Sequence, residues 1–106
     1  MRNEQDYFDL LRKIQKIPEA SQRKLAKELG FSLGKLNYCL KTLKQKGLIK
    51  IKNSKKNPNK FNYIYVLTPK GISTKTTLTI NFMRKKMHEY DELKSEITVE
   101  KDKLEL

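Results

Sequence analysis

The sequence predicts a mainly α protein with one small β-hairpin, and three observations lead there. Apolar residues recur at helical spacing through three successive segments, 4–17, 21–29 and 32–46. The period then changes to β-branched and aromatic runs at 48–51 and 61–67. From residue 68 to the C-terminus the helical spacing returns.

The first helix carries Tyr7, Phe8, Leu10, Leu11, Ile14 and Ile17 on a wide apolar face. Pro18 ends it, because the residue before a proline is pushed out of the α region. Ser21 is placed to cap a second helix with Leu25, Ala26 and Leu29 inward. Gly30 follows it as a residue able to take positive φ at little cost. Ser32 is placed to cap a third helix, whose apolar stripe is read as Leu33, Leu36, Leu40 and Leu43 with Cys39 beside it. Gly47 stops that helix. Leu48, Ile49 and Ile51 begin one strand, and Phe61, Tyr63, Ile64, Tyr65, Val66 and Leu67 form the next. Between them, 53–60 holds turn formers and lysines, the mark of a hairpin with a long basic tip. Thr68-Pro69 is a helix start. Ile72, Leu78, Phe82, Met83, Met87, Tyr90, Leu93, Ile97 and Leu104 then recur at mixed threes and fours. Threonines crowd 73–79, where a kink or break is expected because threonine loses rotamer freedom in a helix. An unbroken helix over 69–104 would be about 54 Å long, and its apolar stripe would need a second chain.

The chain has 106 residues and a formal net charge of +12. This is one domain's worth of chain, expected to divide into an N-terminal helix (1–17), a helical pair plus hairpin (21–67) and a C-terminal dimerisation helix (68–106). The charge is unevenly spread: net zero over 1–20, +11 over 21–60, +5 over 61–86 and −4 over 87–106. A positive field focused on the middle of the chain implies a polyanionic partner, nucleic acid first and an anionic membrane surface second. One cysteine excludes an intramolecular disulfide. The absence of a long apolar run or an apolar leader core adds to the expectation of a cytoplasmic protein with no membrane span.

Gln22–Lys41 fits a helix-turn-helix: Ala26 lets two helices approach, Gly30 makes the turn, and Leu25, Leu29, Phe31, Leu36 and Leu40 lock the pair. With the hairpin next in sequence, the class becomes a winged helix-turn-helix. The third helix is then the candidate reader, since a helix fits the major groove of B-DNA. Setting Leu36, Leu40 and Leu43 inward turns Gly34, Tyr38, Lys41 and Gln45 outward, with Lys35, Asn37 and Thr42 on the flanks. Ser32, Gly34, Lys35, Asn37, Tyr38, Lys41 and Thr42 are the expected DNA-contacting set. Asn37 suits adenine, Lys35 or Lys41 suits guanine or phosphate, and Gly34 permits close approach of the backbone. Ser21, Gln22 and Arg23, with Lys55, Lys56, Asn57 and Lys60 of the hairpin tip, are the expected contacts to backbone or minor groove.

No catalytic arrangement is present: no Ser/His/Asp or Cys/His set, no glycine-rich phosphate loop, no clustered carboxylates in an apolar setting. His88 stands alone, so no metal or other cofactor is expected. Cys39 reads as a small core hydrophobe.

The segments Ser21-Gln22-Arg23-Lys24-Leu25-Ala26-Lys27-Glu28-Leu29-Gly30 and Ser32-Leu33-Gly34-Lys35-Leu36-Asn37-Tyr38-Cys39-Leu40, then Lys46-Gly47-Leu48-Ile49 and Leu67-Thr68-Pro69-Lys70-Gly71-Ile72, resemble MarR-type winged-helix regulators. More narrowly they resemble the exopolysaccharide-associated group of that family. The resemblance implies a dimeric bacterial transcription factor encoded near surface-polysaccharide genes. Two positions depart from the pattern. Tyr38 stands where many such proteins carry arginine, and Asn57-Pro58-Asn59-Lys60 stands where they carry an Asp-x-Arg wing. The chain is also shorter than most relatives, which hold a pocket for phenolic ligands, and no effector is assigned to it.

The expected partners are therefore double-stranded DNA and a second copy of the chain. The expected dimer interface is Phe8, Leu11, Phe82, Met83, Met87, Tyr90, Leu93 and Ile97. Lys86 and Glu100 interrupt a regular seam, so an intertwined pairing is expected rather than a long coiled coil. The competing class is an RNA-binding or assembly protein using the same basic face. It would stack bases on exposed aromatics, for which Tyr38 and Phe61 are the candidates. A pure protein-interaction module is the third.

Overall fold

A computed structural model describes residues 4–53 and 63–105. The element order is α1 (Glu4–Lys16), α2 (Gln22–Leu29), α3 (Leu33–Gln45), β1 (Ile49–Asn53), β2 (Tyr63–Leu67) and α4 (Pro69–Leu104). The chain divides into two compact units, Met1–Thr76 and Thr77–Leu106.

The first unit holds the core. Its fully enclosed side chains are Leu10, Leu11 and Ile14 of α1, Leu25 of α2, and Leu36 and Leu43 of α3. α1 packs on α2, α3 and β2. Phe8 and Leu11, expected at a dimer interface, are instead 6% and 0% exposed within this core. The wide apolar face of α1 is covered by the unit's own elements. Leu33 is likewise corrected: it is 45% exposed and lies off the buried stripe, which runs Leu36, Cys39, Leu40, Leu43.

The helix ends are chemically explicit. The Ser21 hydroxyl accepts from the Lys24 N–H and that of Ser32 from the Lys35 N–H, each at 3.1 Å. Gly30 takes φ 71°, and the Phe31 N–H reaches the Ala26 carbonyl at 2.9 Å. At the end of α3, Gly47 takes φ 74° while Leu48 N–H donates to Leu43 O at 2.9 Å and Gly47 N–H to Lys44 O at 3.0 Å. These three bonds satisfy carbonyls that a helix end would otherwise leave open.

β1 and β2 pair antiparallel, with Ile49 opposite Leu67 and Ile51 opposite Tyr65. The hairpin tip, with Lys55, Lys56, Asn57 and Lys60, lies outside the described residues.

The entry to α4 is fastened to the exit of α3. Thr68 N–H donates to Leu48 O at 3.0 Å, and Thr68 Oγ1 donates to Gly47 O at 2.6 Å while accepting from Gly71 N–H at 3.0 Å. Gly71 is buried, and an ideal Cβ there would lie 1.9 Å from the Leu48 carbonyl oxygen. Only glycine fits this approach of backbone to backbone.

The second unit is the remainder of α4, which is continuous over its 36 residues. The threonine-rich stretch does not break it. Thr76 Oγ1 donates to the Ile72 carbonyl at 3.0 Å, the i−4 bond that threonine can make inside a helix.

Candidate nucleic-acid interface

α3 presents its polar face to solvent because its apolar face is fixed by the core. Gly34, Lys35, Asn37, Tyr38 and Lys41 are all exposed, with Tyr38 at 55%. Thr42 is half-buried and its hydroxyl donates to the Tyr38 carbonyl at 3.0 Å. Apart from the adjoining backbone of α3 itself, no atom lies within 4 Å of an ideal Cβ at Gly34. Its missing side chain therefore leaves open space outside the protein rather than serving the protein's packing.

The N-termini of α2 and α3 lack acidic side chains of their own. Neither helix has an acidic residue in its first turn, whereas α1 has Glu4 and Asp6 there. Helix N-termini carry partial positive charge, which acidic side chains usually offset and which phosphates can offset instead. Arg23, Lys24 and Lys27 stand exposed on α2.

Two expected contact residues have internal partners. Gln22 Nε2 donates to the Tyr65 hydroxyl at 2.7 Å, tying the start of α2 to β2 of the hairpin. Tyr65 is 5% exposed, so this bond supplies the partner its buried hydroxyl needs. Lys35 Nζ lies 2.9 Å from Asp6 Oδ2 on α1 and 4.4 Å from the centre of the Phe31 ring. Its ammonium is turned back toward α1. Ser21 and Ser32 accept hydrogen bonds as caps.

Between α3 and the hairpin lies an open groove of about 240 Å³ that brings together Gln22, Asn37, Lys41, Lys44, Ile51 and Tyr65. Lys44 was not among the residues expected from the sequence. It follows Lys41 by three residues and Asn37 by seven on the same helix, so helix periodicity sets all three on one face, and that spacing was the signal that could have found it.

Cys39 is 4% exposed, on the core side of α3. Burial, and to a lesser extent the Asp6 charge, raise its thiol above the ordinary value, with Lys35 acting in the opposite sense. Of the expected interface residues on α4, Phe82 is half-buried, while Met83, Met87, Tyr90, Leu93 and Ile97 are exposed. No described helix is long and apolar enough to cross a membrane.

Residues 8–50 match a family model described as winged helix-turn-helix DNA-binding. No curated protein sequence matches the chain. Among solved structures, PcaV, a transcriptional regulator from Streptomyces coelicolor seen with its natural ligand, superposes with a TM-score of 0.64 at 17% identity, over 74% of this chain and 54% of its own. FabT of Streptococcus pneumoniae, in complex with DNA, gives 0.62 at 23% identity, over 81% and 58%. A MarR-family transcription regulator gives 0.66 at 18% identity, over 88% and 68%. The chain thus spans little more than half the length of PcaV and FabT. Residues 8–50 carry the winged helix-turn-helix DNA-binding pattern, and the fold around them is the one seen in MarR-family regulators.

Proposed function

We propose that the chain is a sequence-specific double-stranded DNA-binding transcriptional regulator acting as a homodimer. The observation that carries this reading is the polar face of α3: Gly34, Asn37, Tyr38 and Lys41 are exposed together, on a helix whose N-terminus has no acidic neighbour in its first turn. In this reading α3 enters the major groove, with Asn37 and Lys41 at base edges and Gly34 admitting the backbone close to the duplex. Ser21, Gln22 and Arg23 meet phosphate, as do Lys55, Lys56, Asn57 and Lys60 of the hairpin tip. Lys35, held by Asp6, positions α3 rather than reading a base. The likeness to FabT, whose structure contains DNA, supports a duplex partner. The exposed apolar residues of α4 support pairing with a second copy through Met83, Met87, Tyr90, Leu93 and Ile97. The reading extends to a bacterial, cytoplasmic, non-enzymatic regulator of surface-polysaccharide genes. That last part rests on the resemblance of Ser32–Leu40 and Leu67–Ile72.

The test is selection of bound molecules from a random duplex library, with structured RNA as competitor. A pseudo-palindromic consensus that RNA does not displace is the expected result. Preference for the RNA would transfer the same face to the RNA-binding class, and absence of binding to either would leave a protein-interaction module.

A further inference from the structure

The two flanks of α3 differ in charge. On one flank Asn37, Lys41 and Lys44 line the groove beside the hairpin, and no acidic residue lines it with them. Lys35 lies on the other flank, toward α1, and there the fold supplies a carboxylate. Asp6 Oδ2 is 2.9 Å from Lys35 Nζ, and the Asp6 side chain is only 18% exposed. The same ammonium lies 4.4 Å from the centre of the Phe31 ring. The Cys39 thiol, one turn further along α3, registers both groups: burial raises it first, then Asp6, while Lys35 lowers it. Glu28 is the one acid within residues 21–60, and it pairs with Lys13 at 3.6 Å. The carboxylate beside the reader helix therefore comes from outside the basic stretch, carried there by α1.

We propose that Asp6 is a positioning residue that restrains sequence-independent binding by holding the Lys35 ammonium off the duplex phosphates. The proposal rests on the duplex reading above. A helix about 10–12 Å across fills a major groove about 12 Å wide, so its flanks face the phosphate walls. A lysine free on such a flank meets phosphate in any sequence. Lys35 is the first basic residue of α3 and stands where it would do so. Paired with Asp6, it adds no net charge to that wall, and α3 draws its phosphate contacts from the hairpin side. A phosphate that took Lys35 would leave a half-buried carboxylate without its cation and beside a second negative group. That cost keeps the pair closed.

The test is a double-mutant cycle of Asp6→Asn and Lys35→Met in the full chain. Each variant is titrated with the selected duplex and with a scrambled one between about 50 and 200 mM salt. Urea unfolding confirms that each is folded. Asp6→Asn frees one cation, so its affinity should rise by the same factor for both duplexes. That affinity should also fall about 3.5-fold more than the parent's across the salt range, as one added phosphate contact requires. Lys35→Met alone should keep the parent's salt dependence. The double variant should return to it, because the gain needs Lys35. If Lys35→Met flattens the salt dependence, the ammonium leaves Asp6 for phosphate on binding and the proposal is overturned. If Asp6→Asn leaves the salt dependence unchanged, the pair only fastens α1 to α3 and the proposal is overturned as well. Both outcomes leave the duplex reading standing. A parent that binds neither duplex overturns that reading and the proposal with it.

Discussion

At single residues, the structure assigns opposite meanings to similar chemistry. Gly71 and Gly34 are both helical glycines, yet a Cβ at Gly71 would lie 1.9 Å from the Leu48 carbonyl oxygen while one at Gly34 meets nothing within 4 Å apart from the adjoining backbone of α3 itself. Gly71→Ala should therefore destabilise the fold by about 1–3 kcal/mol or more, because backbone must move. Gly34→Ala should stabilise it by about 0.5–1 kcal/mol through helix propensity and weaken duplex binding by filling the close approach. Urea unfolding paired with duplex titration measures both. A Gly34→Ala variant that binds as tightly as the parent removes the close-approach role. Lys35 and Asn37 diverge in the same way. With its ammonium 2.9 Å from Asp6, Lys35→Ala should change site preference less than Asn37→Ala, for which about 1–3 kcal/mol is expected if the amide contacts a base. Cys39, raised mainly by burial, should resist alkylation until the protein unfolds. Its folded thiol holds the proton more tightly than the unfolded one. That contribution to stability is present below the unfolded value of about 8.5 and is lost as pH rises through the folded value. A Cys39→Ala variant should lose less stability than the parent between pH 8 and 10.

Among the elements, the coupling of hairpin to helical pair is the part that depends on distant residues meeting. Tyr65→Phe removes the hydroxyl that accepts from Gln22 Nε2 at 2.7 Å. A cost of about 0.5–1.5 kcal/mol is expected, with a larger loss of affinity for duplexes long enough to engage the hairpin than for short ones. Equal losses at every duplex length would mean that the bond stabilises the fold without aligning the hairpin. The caps, turns and three short helices were legible in the sequence because they are local: Ser21, Ser32, Gly30, Gly47 and Thr68-Pro69 act on residues within a few positions. The internal partners of Gln22 and Lys35 were not legible. Each depends on an element far away in sequence, β2 for one and α1 for the other. The wide apolar face of α1 was visible, but periodicity says only that a face is covered, not whether the cover is the chain's own or a partner's. Phe8 and Leu11 were misassigned for that reason. Leu33 was misplaced because a residue in the first turn of a helix can sit off the stripe that later turns define. The continuity of α4 through its threonines was not legible because propensity is only a weak preference per residue, and the helix runs on through Thr76, whose hydroxyl bonds the Ile72 carbonyl within it.

For the whole molecule, the governing quantity is the field concentrated on residues 21–60, net +11. Affinity for any duplex should fall by about 0.9 log units per log unit of salt for each phosphate neutralised. Lys41→Ala or Lys44→Ala, each removing one exposed lysine of the groove beside α3, should lower that slope by about one if the side chain contacts phosphate. Titrations of parent and variants across a range of salt concentrations give the slopes directly. A parent slope near zero would count against a phosphate partner altogether. The same field acts before contact, because a positive surface speeds encounter with a polyanion and does so less as salt rises.

The acid-free first turns of α2 and α3 carry a consequence for any selection that rewards robustness alone. Glutamate at positions 23 or 34 would suit the helix ends better than the residues present, by about 0.3–1 kcal/mol from the macrodipole alone. Directed evolution under heat, with no demand for binding, should therefore drift toward acids at these sites and erase the activity while improving the scaffold. The same population held to duplex retention should keep them out. The gap between the two outcomes would show how much thermal tolerance duplex retention costs this fold, and no gap would count against the proposal that phosphates meet these two helix ends.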